Sequence, residues 1–265
     1  MNSKKLIILA AAIIFLASCE TPNVAYFQDL DNGMVNSVNE VLDIRVRPED
    51  KLSIVVKSKN NQLSELFNLP VMSQRIGYTT STTTQSQNMS LYTVDSHGNI
   101  DFPVLGTLSV AGLTREQVAT LVKQELINNG MVKDPVVTVE YGNLMFSVMG
   151  EVARPGRYAF DRDHLTLLEA ISTAGDLTIK GKRENVLVMR ENNKGSRTTY
   201  RVDLTKGAEL YQSPVFYLQQ NDVIFVEPND YRAREATVNG NNVRSTSFWI
   251  SIASLATTVA VLVFK

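Results

Sequence analysis

Residues 145–175 read MFSVMGEVARPGRYAFDRDHLTLLEAISTAG, and this stretch decides the fold class. Residues 145–152 form an apolar run of strand length bounded by turn residues. Arg154-Pro155-Gly156-Arg157 predicts a type II turn: Pro155 fixes φ at the second position, and Gly156 accepts the positive φ of the third. Tyr158 and Phe160 alternate in the strand period and complete a hairpin. Thr166-Leu167-Leu168-Glu169 is a capping box, in which hydroxyl and carboxylate satisfy the free N–H groups of a helix start. The helix it opens is short, and Gly175 stops it. Downstream, Val186, Val188 and Met189 match Tyr200, Val202 and Leu204 across the polar turn 191–197, and 223–226 supplies a closing strand. A hairpin, a crossing helix and returning strands make a β-grasp-like α+β domain over 144–228.

A second α+β unit precedes it, over 44–142. Ile44 and Val46, then Leu52, Ile54 and Val56, alternate in the strand period on either side of the turn Pro48-Glu49-Asp50. Residues 57–90 are rich in Ser, Thr, Asn and Gln and predict a long exposed excursion. Tyr92 and Val94, the turn Asp95-Ser96-His97-Gly98, then Ile100 and Phe102 predict a hairpin, with His97 a turn residue. Thr114 and Gln117 form another capping box. Val118, Leu121, Val122 and Leu126 then share one helix face, and Gly130 ends it. Residues 136–139 predict a strand, and Tyr141-Gly142 closes the unit. Glu49-Asp50-Lys51-Leu52-Ser53-Ile54 and Asn221-Asp222-Val223-Ile224-Phe225-Val226 each place an Asp two positions before an alternating strand. This is shared turn chemistry, not a repeat.

Both ends differ from this middle. Lys4 and Lys5 precede an uncharged apolar run, 6–16, of signal-peptide length and too short to span a bilayer. It ends in Leu16-Ala17-Ser18-Cys19, which resembles a bacterial lipobox: small residues for a peptidase groove, then a thiol nucleophile for acylation; the alternative is an ordinary secretory signal with a chance cysteine. The expectation is a signal peptide over 1–18, a lipid on Cys19 and a linker over 19–43. Cleavage would remove Lys4 and Lys5, leaving 24 basic against 27 acidic side chains. After a linker at 229–245, residues 246–264 lack charge, Pro and Gly. As a helix they would extend about 28 Å, which predicts a transmembrane segment. Ser247, Ser251, Ser254 and Thr258 fall on one narrow face, and Trp249, Ile252, Ala256, Val259 and Val263 on the other. Two arrangements fit this spacing: a lone tail anchor, or a ring with hydroxyls towards a wet lumen and apolar residues towards lipid.

Composition narrows the function. The 265 residues carry 26 basic and 27 acidic side chains, so no basic footprint for nucleic acid exists. A single cysteine excludes an intramolecular disulfide, and with two histidines it cannot build a typical structural zinc site. Glu49/Asp50 and Asp161/Asp163 are the carboxylate pairs a glycosidase would need. Adjacent turn carboxylates, and those just before a helix, more often cap. No nucleophile motif, phosphate loop or metal spacing is present. No catalytic residue, no metal and no cofactor is expected beyond the covalent lipid on Cys19.

As an ordered set, Arg47-Pro48-Glu49-Asp50-Lys51-Leu52-Ser53-Ile54, the stretch from Tyr92 to Gly106 and Val110-Ala111-Gly112-Leu113-Thr114 resemble the polysaccharide export domain. Gly150-Glu151-Val152-Ala153-Arg154-Pro155-Gly156-Arg157-Tyr158, Leu167-Leu168-Glu169-Ala170-Ile171 and Ala174-Gly175 resemble the soluble-ligand-binding β-grasp (SLBB) domain. The chain is thus similar to the polysaccharide export outer-membrane lipoproteins, the Wza-like family, over roughly 45–228. It departs from them at Glu49 and Asp176, where the family usually has Gly, in its single SLBB domain and in its long polar excursion. The resemblance implies a lipid-anchored homo-oligomeric ring in the outer membrane, its main body periplasmic and its tail helices forming a barrel. Ser247, Ser251, Ser254 and Thr258 would then face the pore, and Trp249, Ile252, Ala256, Val259 and Val263 the lipid. It implies a capsular or extracellular polysaccharide as substrate, and an inner-membrane chain-length and export partner, often a tyrosine kinase. The alternative is a glycan-binding or scaffolding lipoprotein that forms no pore.

Overall fold

The computed structural model describes residues 23–33, 37–38, 43–59, 64, 66–68, 91–192 and 195–263, without the side chains of residues 260 and 263. Two α+β units follow one another. The first holds β1 (Lys51–Lys57), β2 (Leu91–Thr93), β3 (Asn99–Phe102), β4 (Gly106–Ser109), α1 (Arg115–Asn128) and β5 (Val136–Tyr141). β1 lies between β2 and β5, antiparallel to both, while β3 and β4 form a separate hairpin. Leu52, Ile54 and Val56 on β1 and Val118, Val122 and Leu126 on α1 are fully buried together. Burying such side chains contributes on the order of 2 kcal/mol each. Thr114 caps α1 reciprocally with Gln117, through N–H bonds of 3.3 and 3.0 Å, and Gly130 leaves the helix at φ +67°.

The predicted hairpin of β2 with β3 does not form. Its turn does: Asp95 Oδ1 accepts from the N–H groups of His97 and Asn99 at 2.8 Å each. The two strands then part, because β2 takes its ladder from β1 and β3 takes its own from β4, a strand the sequence reading missed. Nor is the polar excursion wholly exposed. Phe67 is buried, its ring 6.4 Å from that of Phe102. Asn68 clamps the Val56 backbone through both its amide atoms, at 2.9 and 2.6 Å.

The second unit holds β6 (Met145–Gly150), β7 (Gly156–Ala159), α2 (Leu167–Thr173), β8 (Gly181–Glu191), β9 (Arg197–Val202), α3 (Gly207–Tyr211) and β10 (Val223–Pro228). Its sheet runs β7-β6-β10-β8-β9, parallel between β6 and β10 and antiparallel elsewhere. That mixed sheet with a crossing helix is the expected α+β architecture. Leu167, Ala170 and Ile171 of α2 bury against Phe146, Val148, Val186, Val188, Ile224 and Val226. Strand alternation puts Ser147, Leu187, Met189, Val223 and Phe225 on the other face, where Met149 is 52% exposed. Gly156 lies outside the left-handed region and pairs with Val148 as the first residue of β7. The type II turn expected there is therefore not made, because the ladder claims the glycine as extended backbone.

The tail comprises α4 (Asp230–Glu235), a 3-10 turn at Asn242–Arg244, and α5 (Thr246–Val263). The predicted transmembrane helix is corrected here: among the described residues, no helix is long and apolar enough to cross a membrane. At 18 residues, α5 rises about 27 Å, short of a hydrocarbon core of about 30 Å, and six of its residues are Ser or Thr.

Candidate functional site

The two echoing turns meet at the junction of the units. Asp50 accepts the Arg47 N–H at 2.8 Å, and Asp222 accepts the Gln219 N–H at 2.8 Å. Each Asp N–H returns to the carbonyl of the same turn's first residue at 3.2 Å, and the third residues, Glu49 and Asn221, take φ of +71° and +63°. Identical turns thus launch β1 and β10. Arg47 joins them, donating from Nη1 to Glu191 O at 3.1 Å and Gln220 O at 3.5 Å. Gln220 holds the short connection between the units through Met145 N–H and Asn143 O, at 2.8 and 2.7 Å. Asn143 in turn accepts the Lys51 N–H at 2.9 Å.

Beside this junction lies a cleft of about 260 Å³, with Arg115, Tyr141, Asp161 and Asp163 in its wall. Arg115 pairs with Asp163 across it at 2.6 Å. Burial, then the charges of Asp50 and Asp163, push the Tyr141 phenol well up, and its hydroxyl donates to Ile44 O at 2.8 Å. The carboxylates considered for catalysis all have structural tasks or open solvent. Asp50 closes its turn, Asp163 is salt-bridged, and the Asp161 side chain is 94% exposed. His97 sits in its turn, and the His164 ring contacts that of Tyr217 edge-on. Among the described residues, no group of three His, Cys, Asp or Glu could hold a metal ion.

A second concavity lies on the sheet face away from α2. This groove of about 300 Å³ is lined by Ser147, Arg157, Met189, Glu191, Arg197, Asn221 and Val223.

The tail residues sit as follows. Ser251 and Thr258 donate their hydroxyls to the carbonyls of Ser247 and Ser254, four residues back on α5, at 2.8 and 2.9 Å. Ser247 donates to the Ser245 hydroxyl at 3.3 Å. Trp249, Ile252, Ala256 and Val259 are exposed, and the side chain of Val263 lies outside the described residues. Cys19 and the signal stretch 1–18 also lie outside them.

The linker after Cys19 brings a contact that sequence reasoning missed. Residues 26–30 dock on the second unit. The Tyr26 hydroxyl donates to the Asp176 carboxylate, and its ring lies 5.3 Å below the Arg183 guanidinium. The N–H groups of Phe27 and Gln28 bond Leu204 O and Thr205 O at 3.2 and 2.6 Å. Asp29 accepts from the first N–H groups of α3, Gly207 and Ala208, at 2.6 and 3.1 Å. The one available signal was the pair of aromatics followed by an acid in a polar linker.

Residues 38–141 match the polysaccharide biosynthesis/export protein family, and residues 144–226 match the SLBB domain. The chain belongs to the Wza-like polysaccharide export family. Among its relatives is the EPS I polysaccharide export outer membrane protein EpsA of Ralstonia solanacearum, 33% identical over 152 residues, which is 55% of this chain and 38% of that protein. The protein of the same name from Ralstonia nicotianae is 35% identical over 107 residues, 39% of this chain and 28% of its own length. The matched stretches thus span well under half of these relatives' own lengths. The two expected departures can be placed in the structure. Glu49 and Asp176 replace glycines yet keep the left-handed backbone, at φ +71° and +73°.

Proposed function

We propose that this protein exports a capsular or extracellular polysaccharide across the outer membrane, as a lipoprotein anchored through Cys19 with its body in the periplasm. The observation that carries this reading is the order of the two family domains on one chain, together with relatives named for polysaccharide export. The active form is a homo-oligomeric ring that encloses the glycan path, working above an inner-membrane chain-length and export partner, often a tyrosine kinase. In that ring the hydroxyl face of α5 turns towards the glycan and the Trp249, Ile252, Ala256 and Val259 face turns away from it. Small uncharged hydroxyls suit a hydrated polymer, because they exchange hydrogen bonds without holding it. The protein acts without a cofactor and without chemistry of its own; transport, not bond cleavage, is its task.

Three experiments test this. Deleting the gene should abolish surface polysaccharide, and the unsubstituted chain should restore it. Cys19→Ser should lose palmitate labelling and membrane retention. Electron microscopy of detergent-extracted protein should show closed rings; monomers would sink the ring and leave a scaffolding lipoprotein.

A further inference from the structure

The groove on the sheet face opposite α2 has the chemistry of a sugar site. Arg157 stands on β7 and Arg197 on β9, the first and last strands of the sheet. With strands about 4.8 Å apart, their backbones are on the order of 19 Å apart, yet both side chains line the same groove. Between them the floor is formed by Ser147, Val223 and Met189, in register on three adjacent strands. The volume of about 300 Å³ lies at the low end for ligand sites and suits one or two pyranose rings.

The charges are unequally matched. Along the sheet, Arg201 is paired with Glu227 at 3.0 Å. In the groove, Arg197 has only Glu191 as an ion-pair partner among the described residues, at 3.5 Å. Arg157 makes no salt bridge among the described residues and donates only to the amide oxygen of Asn221, at 3.3 Å. Two guanidinium groups against one carboxylate leave the groove one positive charge in excess, in a chain whose formal charge is −1. A wall meant for a neutral sugar would need no such excess. A floor of Val223, Met189 and the Ser147 hydroxyl, flanked by an amide and two arginines, matches a pyranose with an apolar face, ring hydroxyls and a carboxylate.

We infer that this groove binds an acidic sugar residue of the exported glycan, a uronic acid or another carboxylated pyranose. Val223 and Met189 support the apolar ring face, Ser147 and Asn221 meet hydroxyls, and Arg157 and Arg197 hold the carboxylate. The inference rests on the export reading for the glycan's presence, but the binding chemistry can be tested without it.

The test uses the full chain in detergent, titrated by calorimetry with hexagalacturonate and a hyaluronan hexasaccharide as acidic probes and maltohexaose as the neutral one. At least one acidic probe should saturate and bind about tenfold more tightly than maltohexaose, the factor one charge-assisted hydrogen bond supports. Added salt should weaken it. Arg157→Ala and Arg197→Ala should each lose about that factor and retain the unsubstituted melting temperature, since neither side chain is in the core. Failure of both acidic probes to saturate, equal binding of maltohexaose, or indifference to both substitutions would overturn the inference. In parallel, the same variants are placed in the deletion strain. If the unsubstituted chain fails to restore secretion, the export reading falls whatever the calorimetry gives. If it restores secretion and the titrations are negative, only the groove assignment falls.

Discussion

Two residues stand where the fold wants glycine, and they differ in what they return. Glu49 holds φ at +71° as the third residue of its turn, and its exposed side chain faces solvent. A side chain in the left-handed region costs roughly 1 kcal/mol or more. Glu49→Gly should therefore stabilise the protein by about 1 kcal/mol, read as a rise in the denaturant midpoint. Asp176 has the same strain at φ +73°, but its carboxylate accepts the Tyr26 hydroxyl and the Leu177 N–H. Asp176→Gly should gain less than Glu49→Gly, because it frees the docked linker. A third carboxylate is governed by burial. Asp222 is fully buried and bonded by Arg190 at 2.7 Å. Burial still raises its carboxyl above the ordinary 3.8, with Arg190 pulling the other way. A raised acid binds its proton more readily folded than unfolded, so its contribution to stability grows as pH falls. Arg190→Met should cost about 3–5 kcal/mol at neutral pH, by leaving a buried charge without its partner. That deficit should narrow in urea melts as the pH is lowered towards 3.8 and the carboxyl becomes neutral.

At the scale of elements, local signals fixed starts and stops better than partners. Both capping boxes form as read, because they close within four residues. The β2–β3 turn also forms, but a turn does not choose a ladder. β2 takes its ladder from β1, with Tyr92 opposite Leu52, and keeps only a side-chain contact with β3, the Tyr92 ring stacking on Phe102 at 5.2 Å. Helix α3 shows the converse. Its own N-cap residue, Lys206, makes no side-chain cap bond, and Asp29, far away in sequence, supplies the acceptors. Asp29→Ala should speed amide hydrogen exchange at Gly207 and Ala208 several-fold and leave α2 unchanged. The end of β6 is as demanding. A Cβ on Gly150 would lie 2.0 Å from Val226 O, at a backbone φ of +89°. Gly150→Ala should cost about 3 kcal/mol or more, since the parallel β6–β10 pairing must open; a thermal melt measures it.

Across the whole molecule, the two units are joined by more than the chain between them. Arg47 ties the turn before β1 to the turn before β10, Gln220 and Asn143 hold the connecting backbone, and Arg115 meets Asp163 across the cleft. A junction with this many bonded groups should unfold with its units. The intact protein is expected to give a single calorimetric transition over the two domains. Arg47→Ala combined with Gln220→Ala should separate it into two and open residues 142–144 to limited proteolysis. If the double variant still melts as one unit and resists cleavage, these bonds do not couple the domains.

The sequence alone determined the α+β class, the helix caps, the twin aspartate turns and the family, because each is written in contiguous residues whose chemistry acts over one turn. The family resemblance drew attention to Glu49 and Asp176, and both take a left-handed backbone. Tertiary structure decided what those residues could not specify locally. It chose which strand pairs with β2, sent Phe67 into the core from a polar stretch and turned Gly156 into extended backbone. It also laid Tyr26 and Asp29 on a domain more than a hundred residues away. For the tail, apolar content suggested a span, and the helix fell short of one, because length and uniform apolarity must hold together over a bilayer's thickness. The groove between Arg157 and Arg197 belongs to the same class of fact. Its residues come from five strands and a turn, and only the register of the sheet brings them to one face.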